Sequence, residues 1–484
     1  MRWRAMQLVG VEAIYFFRLV IVAAILTPAA FGVIAMAVNV VGVLMRLSNF
    51  GMVPALVQSE AATREQYDAA WTIGLMRGGA VVAILFVSAP FVAAFYRLPE
   101  AAPVIQVLAL RPLIDGAASI GVARLTRELR FRQLATIQLV GALVDFAIAV
   151  AMANKLGVWA LVVGTLGGAT AAMLVSYMVA PHRPRLWLAS ADILVLVRFG
   201  RWVLLASILS LVGTTTTQIV ISRELGAAAL GAYFLAAKVA FLPFEATHNV
   251  VGNVAFPLFA QLRTDRARSI ATFDALLGML TITLLPVYAI MFVLAPSLPA
   301  VLGPDWSASV SVLRILAVGG VFAIIGHVLA PLFLGRGRAD RAFALELVQT
   351  GSLLLVLWPL VGHFGVDGAA LGWGAGHALA LLLGLCWLAR LREGGRAISM
   401  LVPATGAAAA AAAAFAGGSV WSWSPNAFGA TLAGAAGIAA AAGTILLLDR
   451  VLHLDLRQLV AWLKGMPREA EPVGGPSTDK SGLR

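Results

Sequence analysis

Lys238, Glu245 and Asn249 recur at intervals of seven and then four residues, the spacing that stacks side chains along one face of a helix. His248 stands beside them, and Pro243 is placed to loosen the backbone between them. The surrounding stretch is apolar, where an ionisable group is costly unless it faces a cavity, water or a partner. The face should therefore line something polar. Just upstream, Thr214, Thr215, Thr216, Thr217 and Gln218 gather groups that can hydrogen-bond sugar hydroxyls or a neighbouring helix. The plainer alternative is that Lys238 and Glu245 satisfy each other while the threonines pack.

The other intramembrane candidates are scattered. Glu12 and Arg18 flank Tyr15 in the first apolar stretch, and their six-residue separation puts them on different faces, so neither is simply the partner of the other. Asn39 lies in the next stretch. Arg77 can either snorkel to headgroups or face inward. Arg111 and Asp115 are four apart and fit an intrahelical pair. Asp145 has no partner in its own stretch, which makes it a candidate for proton or cation coupling unless another helix supplies one. Arg314 stands near a helix start, Glu346 and Gln349 form a short polar stripe, and His327 and His377 fit hydrogen-bonded packing. The cations Arg18 and Lys238, joined by Arg77, Arg111 and Arg314, point to an anionic ligand. In a cavity of low surrounding dielectric they can hold a diphosphate through charge-assisted hydrogen bonds. The carboxylates Glu12, Asp145, Glu245 and Glu346 are the candidates for ion coupling.

The elements that must carry these groups are membrane-spanning. The chain has 484 residues, 61% of them hydrophobic and 12% charged, with a mean hydropathy of +0.92. Its apolar runs are continuous over about twenty residues, which favours helices over a barrel. Spans are expected near 7–26, 31–50, 70–95, 103–122, 134–153 and 157–180, then near 199–220, 231–255, 271–294, 312–334, 343–362 and 367–388, with a last pair near 400–420 and 427–448. Between the two sets, Pro181–Arg201 is the longest basic, proline-marked interruption. Arginines alternate sides: Arg124, Arg127, Arg130 and Arg132, then Arg183 and Arg185, then Arg263, Arg266 and Arg268, then Arg336, Arg338 and Arg341 fall in every second loop. That asymmetry puts both termini in the cytoplasm and favours an even number of crossings, about fourteen. It also explains the formal charge of +12 without invoking nucleic acid. The single cysteine, Cys386, excludes an intramolecular disulfide and a cysteine cluster. No removable signal peptide is expected, and no enzyme motif, metal cluster or cofactor signature stands out.

Short words recur in order about 200 residues apart, as a duplicated six-helix unit would require. Leu26–Gly32 is echoed by Leu225–Gly231, Ala89-Pro90 by Ala295-Pro296, and Gly157-Val158 by Gly365-Val366. The expected fold is thus an all-α polytopic protein: a six-helix lobe over 1–180, a basic linker over 181–201, a second six-helix lobe over 199–390 in parallel pseudo-twofold repeat, and an accessory helix pair over 400–448. An amphipathic surface helix over 449–466 and a disordered tail over 467–484 complete it.

Several words also resemble the polysaccharide transporters of the multidrug/oligosaccharidyl-lipid/polysaccharide exporter superfamily, which includes O-antigen-type flippases. They are Leu26-Thr27-Pro28-Ala29-Ala30-Phe31-Gly32, Ala55-Leu56-Val57-Gln58, Arg127-Glu128-Leu129-Arg130-Phe131, Gly157-Val158-Trp159-Ala160-Leu161-Val162, Arg183-Pro184-Arg185-Leu186, Arg198-Phe199-Gly200 and Leu230-Gly231-Ala232-Tyr233. The resemblance implies two lobes in a V, a cavity lined largely by the first two helices of each, and alternating access. It further implies a polyprenyl-diphosphate-linked glycan moved from the cytoplasmic to the outer leaflet of a bacterial inner membrane. Polymerase and chain-length or export machinery would then be working partners, and a monomer is expected. Two readings compete: a cation-coupled drug antiporter of the same superfamily, which should favour acidic cavity residues, and a membrane glycan polymerase or acyltransferase, which usually carries a large outer loop that this chain lacks.

Overall fold

The structure is a computed structural model that describes residues 2–48, 63–128, 130–187, 190–391, 414 and 427–452. Every regular element among them is helical. The first set comprises α1 (Arg2–Ala23), α2 (Pro28–Leu47), α3 (Arg64–Phe95), α4 (Ala101–Leu108), α5 (Leu110–Gly116), α6 (Gly121–Arg127), α7 (Phe131–Leu156) and α8 (Val158–Val179). Then come α9 (Ser190–Gln261), α10 (Arg266–Leu294), the short α11 (Leu298–Leu302), α12 (Ala308–Gly335), α13 (Ala339–Phe364), α14 (Val366–Leu391) and α15 (Ala427–Leu452).

Among the described residues nine helices are long and apolar enough to cross a membrane, or ten if the bent pair Ala101–Gly116 and Gly121–Arg127 is one span. Five features separate the nine from the expected fourteen: α1, which holds the first expected span, is not among the nine, α15 contributes only the shorter apolar stretch Leu432–Thr444, and three more concern the spans between them. The fourth expected span is broken by a 63° bend. The spans expected at 199–220 and 231–255 run together in α9, which turns at Gly226 (φ 83°, ψ −175°) and so forms two arms. The span at 400–420 falls outside the described residues except for Ala414, as do the surface helix and tail beyond residue 452.

Local chemistry sets the ends of these helices. Thr27 caps α2 by accepting from the Ala30 N–H, with Pro28 in the first turn where its missing donor costs nothing. Thr63 and Gln66 form a reciprocal capping box on α3. Gly157 and Gly365 turn the chain between α7 and α8 and between α13 and α14 with nearly equal backbone angles, φ 56°, ψ −129° and φ 59°, ψ −138°. A side chain is strained in that left-handed region. The resulting hairpins pack tightly, α1 lies on α7, and α12 wedges between α9, α10 and α14.

The chain halves meet where α2 begins and α9 turns. A Cβ on Gly32 would overlap the Ala227 carbonyl oxygen, and a Cβ on Gly231 would overlap the Pro28 carbonyl oxygen. Two glycines thus let two backbones touch reciprocally, which small residues permit in helix packing within membranes. Around the crossing, Trp306 Nε1 donates to the Ala23 carbonyl at 2.9 Å, and the Trp306 ring meets Phe31 edge-on at 5.2 Å. Arg97 donates to the Arg223 carbonyl at 2.9 Å, while Arg223 donates to the Phe95 carbonyl at 3.0 Å and covers the Phe95 ring.

Candidate functional site

Further along α2 and the second arm of α9, the two helices part around a cavity of ≈ 710 Å³. Its walls come from α2, both arms of α9, α12, α13 and α14. α2 contributes Asn39 and Arg46, and the second arm of α9 contributes Lys238 and Glu245. Each pair is spaced by seven residues, so each presents both members on one helical face. The first arm of α9 adds Thr214, Thr217 and Gln218; α12 adds His327; α13 adds Glu346 and Gln349; α14 adds Trp373 and His377.

Lys238 and Glu245 satisfy both expectations raised by their spacing. They line the cavity, and Lys238 Nζ stands 4.0 Å from Glu245 Oε1. Their side chains remain 51% and 49% exposed, so the contact is loose and leaves both available to a ligand. Of the threonine run, Thr214 and Thr217 reach the wall, and Thr217 Oγ1 is spent on the Gly213 carbonyl at 2.9 Å. Thr215 and Thr216 are not among the lining residues, and the Thr215 hydroxyl is buried without a hydrogen-bond partner among the described residues. The Gln218 Oε1 atom is likewise buried with no hydrogen-bond partner among the described residues, and Asn39, also on the wall, interacts with the Tyr96 hydroxyl. His248 and Asn249 fall where side chains are not described.

The first half of the chain holds a separate polar cluster. Arg18 of α1 donates to the Asp145 carboxylate of α7, at 2.6 Å to Oδ1 and also to Oδ2. Asp145 therefore has a partner, supplied across a helix interface that sequence spacing within one helix cannot show. Asp145 is buried, and Arg18 also lies over the Tyr15 ring. Arg111 and Asp115 form the expected four-residue pair at 3.2 Å, and the Asp115 charge acts on half-buried Arg77. None of Arg18, Arg77, Arg111 or Asp145 lines the cavity. Glu12, on the same helix as Arg18, is exposed and does not line the cavity. Arg314 sits apart from both, donating to the Phe292 carbonyl at 3.1 Å and covering that ring.

Three contributors escape a search for mid-helix charges. Arg46 lies in the last turn of α2, where a basic residue is an ordinary helix-end feature, yet it borders the cavity. Its signal was the seven-residue spacing from Asn39, the same as Lys238 to Glu245. Trp373 and His377 carry no charge pattern, and only the fold brings them to the wall.

The profile of the polysaccharide biosynthesis protein family matches residues 21–311. The chain belongs to that family. Its relatives include the lipopolysaccharide biosynthesis protein WzxC of Escherichia coli, 24% identical over 72% of this chain and 72% of that protein. They also include the teichuronic acid biosynthesis protein TuaB of Bacillus subtilis, 28% identical over 64% of this chain and 68% of that one. Among solved structures, the lipid II flippase MurJ in an inward closed conformation superposes with a TM-score of 0.75 at 12% identity, covering 94% of this chain and 100% of MurJ. At that identity the match establishes the fold: this family member is an α-helical polytopic membrane protein.

Proposed function

We propose that the protein flips a polyprenyl-diphosphate-linked oligosaccharide repeat unit from the cytoplasmic to the outer leaflet of a bacterial inner membrane, for assembly of an exopolysaccharide, capsule or O-antigen. The observation that carries this reading is the cavity itself, which sets Arg46 and Lys238 on the two helices that cross at Gly32 and Gly231. Two cations on opposing helices suit a diphosphate, while Asn39, Gln218 and Thr214 offer hydrogen bonds to sugar. The lipid tail remains in the bilayer. A drug antiporter would be served by carboxylates alone.

The architecture behind this proposal is two six-helix lobes in parallel repeat, 1–180 and 199–390, with the linker at 181–201, an accessory pair at 400–448, and about fourteen crossings in all. Repeated backbone turns support it. Glu128 and Arg130 donate to Arg124 and Leu125, as Arg336 and Arg338 donate to Leu332 and Phe333. Gly157 matches Gly365 with the same shift of about 200 residues. The reciprocal contacts of Gly32 and Gly231 are what a two-fold between lobes would produce. The arginine-rich loops favour cytoplasmic termini, with the cavity on the cytoplasmic side and the crossing on the outer side.

In the resulting cycle the diphosphate enters between Arg46 and Lys238, and the lobes rock about the crossing. Arg18 can serve as a further phosphate ligand only by releasing Asp145. Arg77 and Arg111 are assigned to the same cluster, and Arg314 to the crossing end. Glu12, Glu245 and Glu346 are the exposed or cavity-facing carboxylates through which an ion gradient could act, with Asp145 acting through Arg18. The protein works as a monomer beside polymerase and export machinery.

The test is deletion of the gene, followed by measurement of lipid-linked repeat units in the inner membrane and complementation by wild type, Lys238→Ala and Arg46→Ala. Each charge-assisted contact contributes about 2 kcal/mol, so each substitution should lower export about thirtyfold. Absence of accumulation, with altered sensitivity to toxic cations instead, would overturn the proposal.

A further inference from the structure

The cavity walls are not uniform. Arg46 and Lys238 lie on α2 and α9, whereas α13 and α14 contribute a wall of different chemistry. There Trp373 stacks at a tilt on Phe241, 4.8 Å between ring centres, and on His377 at 4.0 Å. The outer carbons of the indole rest against Gly319, where a Cβ would lie 3.0 Å from Trp373 Cζ3. All three rings are half-buried and border the cavity. These contacts fix the indole before any ligand arrives, while part of its surface stays open to the cavity.

Polar groups stand at the same level. A Cβ on Gly376 would lie 2.5 Å from the Gln349 carbonyl oxygen, so α13 and α14 run nearly in backbone contact beside His377. His377 Nδ1 is 2.9 Å from the Trp373 carbonyl, which can only accept. Nδ1 therefore carries the proton, and in the neutral ring Nε2 is left as an acceptor. One turn from Gln349, Glu346 borders the cavity with no ion pair or side-chain hydrogen bond among the described residues. The Gln349 amide also has no side-chain partner among the described residues.

A rigid aromatic face, a carboxylate, an amide and an imidazole acceptor together match one class of ligand. The axial C–H bonds of a pyranose pack on the negative face of an indole. Vicinal hydroxyls donate to a carboxylate in charge-assisted pairs. We propose that Phe241, Trp373, His377, Glu346 and Gln349 form a pyranose subsite that accepts a neutral sugar of the repeat unit and rejects a uronic acid there. The inference rests on the flippase reading and deepens it: the diphosphate is held by Arg46 of α2 and Lys238 of α9, and the sugar by α13 and α14, with Phe241 of α9 backing the indole. Discrimination comes from Glu346, since a second carboxylate brought beside it would meet like charge.

The test uses the full-length protein in nanodiscs and three probes: farnesyl diphosphate, farnesyl-diphosphate-linked glucose, and the glucuronate counterpart of the second. The glucose probe should bind about five- to tenfold tighter than farnesyl diphosphate, an advantage that Trp373→Ala abolishes and Trp373→Phe largely keeps. The glucuronate probe should bind at least about tenfold more weakly than the glucose probe, and Glu346→Gln should close that gap, read as the ratio of the two sugar probes within the same variant. Lys238→Ala should weaken all three alike. Equal affinity for the two sugar probes in wild type, or a Glu346→Gln protein that still discriminates as wild type does, would overturn the subsite while the flippase reading stands. Failure of wild type to bind any diphosphate probe would remove the flippase reading and the subsite with it.

Discussion

Along α2 and the second arm of α9 the chain does opposite things at two places a few helical turns apart. At the crossing, Gly32 and Gly231 remove every side-chain atom so that backbones touch, and Trp306, Arg97 and Arg223 spend their donors on carbonyls of the other half. At the cavity the same helices carry Asn39, Arg46, Lys238 and Glu245, and the buried Gln218 Oε1 there has no hydrogen-bond partner among the described residues. One end is satisfied internally. The other is left to be satisfied by water or ligand. On the proposed flippase reading, the pivot of the rocking motion falls at the crossing and the ligand at the open end, because a packed backbone contact moves as a unit whereas hydrated side chains can be re-paired.

The largest effect should come from Gly32→Leu, set beside Gly42→Leu on the same helix. At Gly32 the new side chain meets a backbone carbonyl that no rotamer change can move, so the halves must separate. The cost is about 3 kcal/mol or more, and little folded protein should survive detergent extraction. Gly42 has nothing within 4 Å of an added Cβ and borders the cavity. There the leucine should leave the unfolding temperature within a few degrees of wild type while obstructing export. Equal melting behaviour in the two variants would break the contrast between sealed crossing and open cavity.

The next effect concerns Arg18 and Asp145, a cluster that resembles the crossing in being internally paired. Asp145→Ala leaves a guanidinium without its carboxylate, and because Arg18 keeps a fifth of its surface the cost should fall at the low end, about 3 kcal/mol. Arg18→Leu with Asp145→Leu should recover most of that loss, since it removes both charges together. A double variant as unstable as the single would mean that Asp145 does more than hold Arg18. Thermal unfolding of the three proteins in one detergent measures the difference.

These comparisons also show what the sequence could and could not disclose. Spans were legible because the bilayer demands long apolar runs, and the pair of Arg111 with Asp115 because four residues is one helical turn. The crossing was half legible: the word Leu26–Gly32 and its echo Leu225–Gly231 end in the two glycines that touch, but their contact needed the fold. Asp145 looked unpaired because its partner lies on another helix. Arg314 looked like a cavity cation because charge carries no direction, and the structure gives it to Phe292. Arg314→Ala should accordingly leave export within about twofold and stability within about 1 kcal/mol, as for an exposed cation on a ring. Arg46 was hidden for the reverse reason, its place in a last turn supplying an ordinary explanation. The helix bend at Gly226 could not be read from hydropathy, because a glycine does not interrupt an apolar run.

The smallest effect on stability should come from the pair that matters most for the ligand. Lys238 and Glu245 touch at 4.0 Å with about half of each side chain exposed, and such a contact contributes under about 1 kcal/mol. Lys238→Glu should therefore melt as wild type does while losing export, since a like charge then faces the diphosphate. The informative variant is the exchange Lys238→Glu with Glu245→Lys, which keeps the pair and the net charge but shifts the cation by two turns, about 10 Å along the helix. If the lysine acts as a ligand for an anion opposite Arg46, its position is what counts, and the exchanged protein should remain inactive although stable. Recovery of export would mean that the pair itself is required, as a contact made and broken during the cycle, and the cavity would then resemble the crossing more than it differs from it.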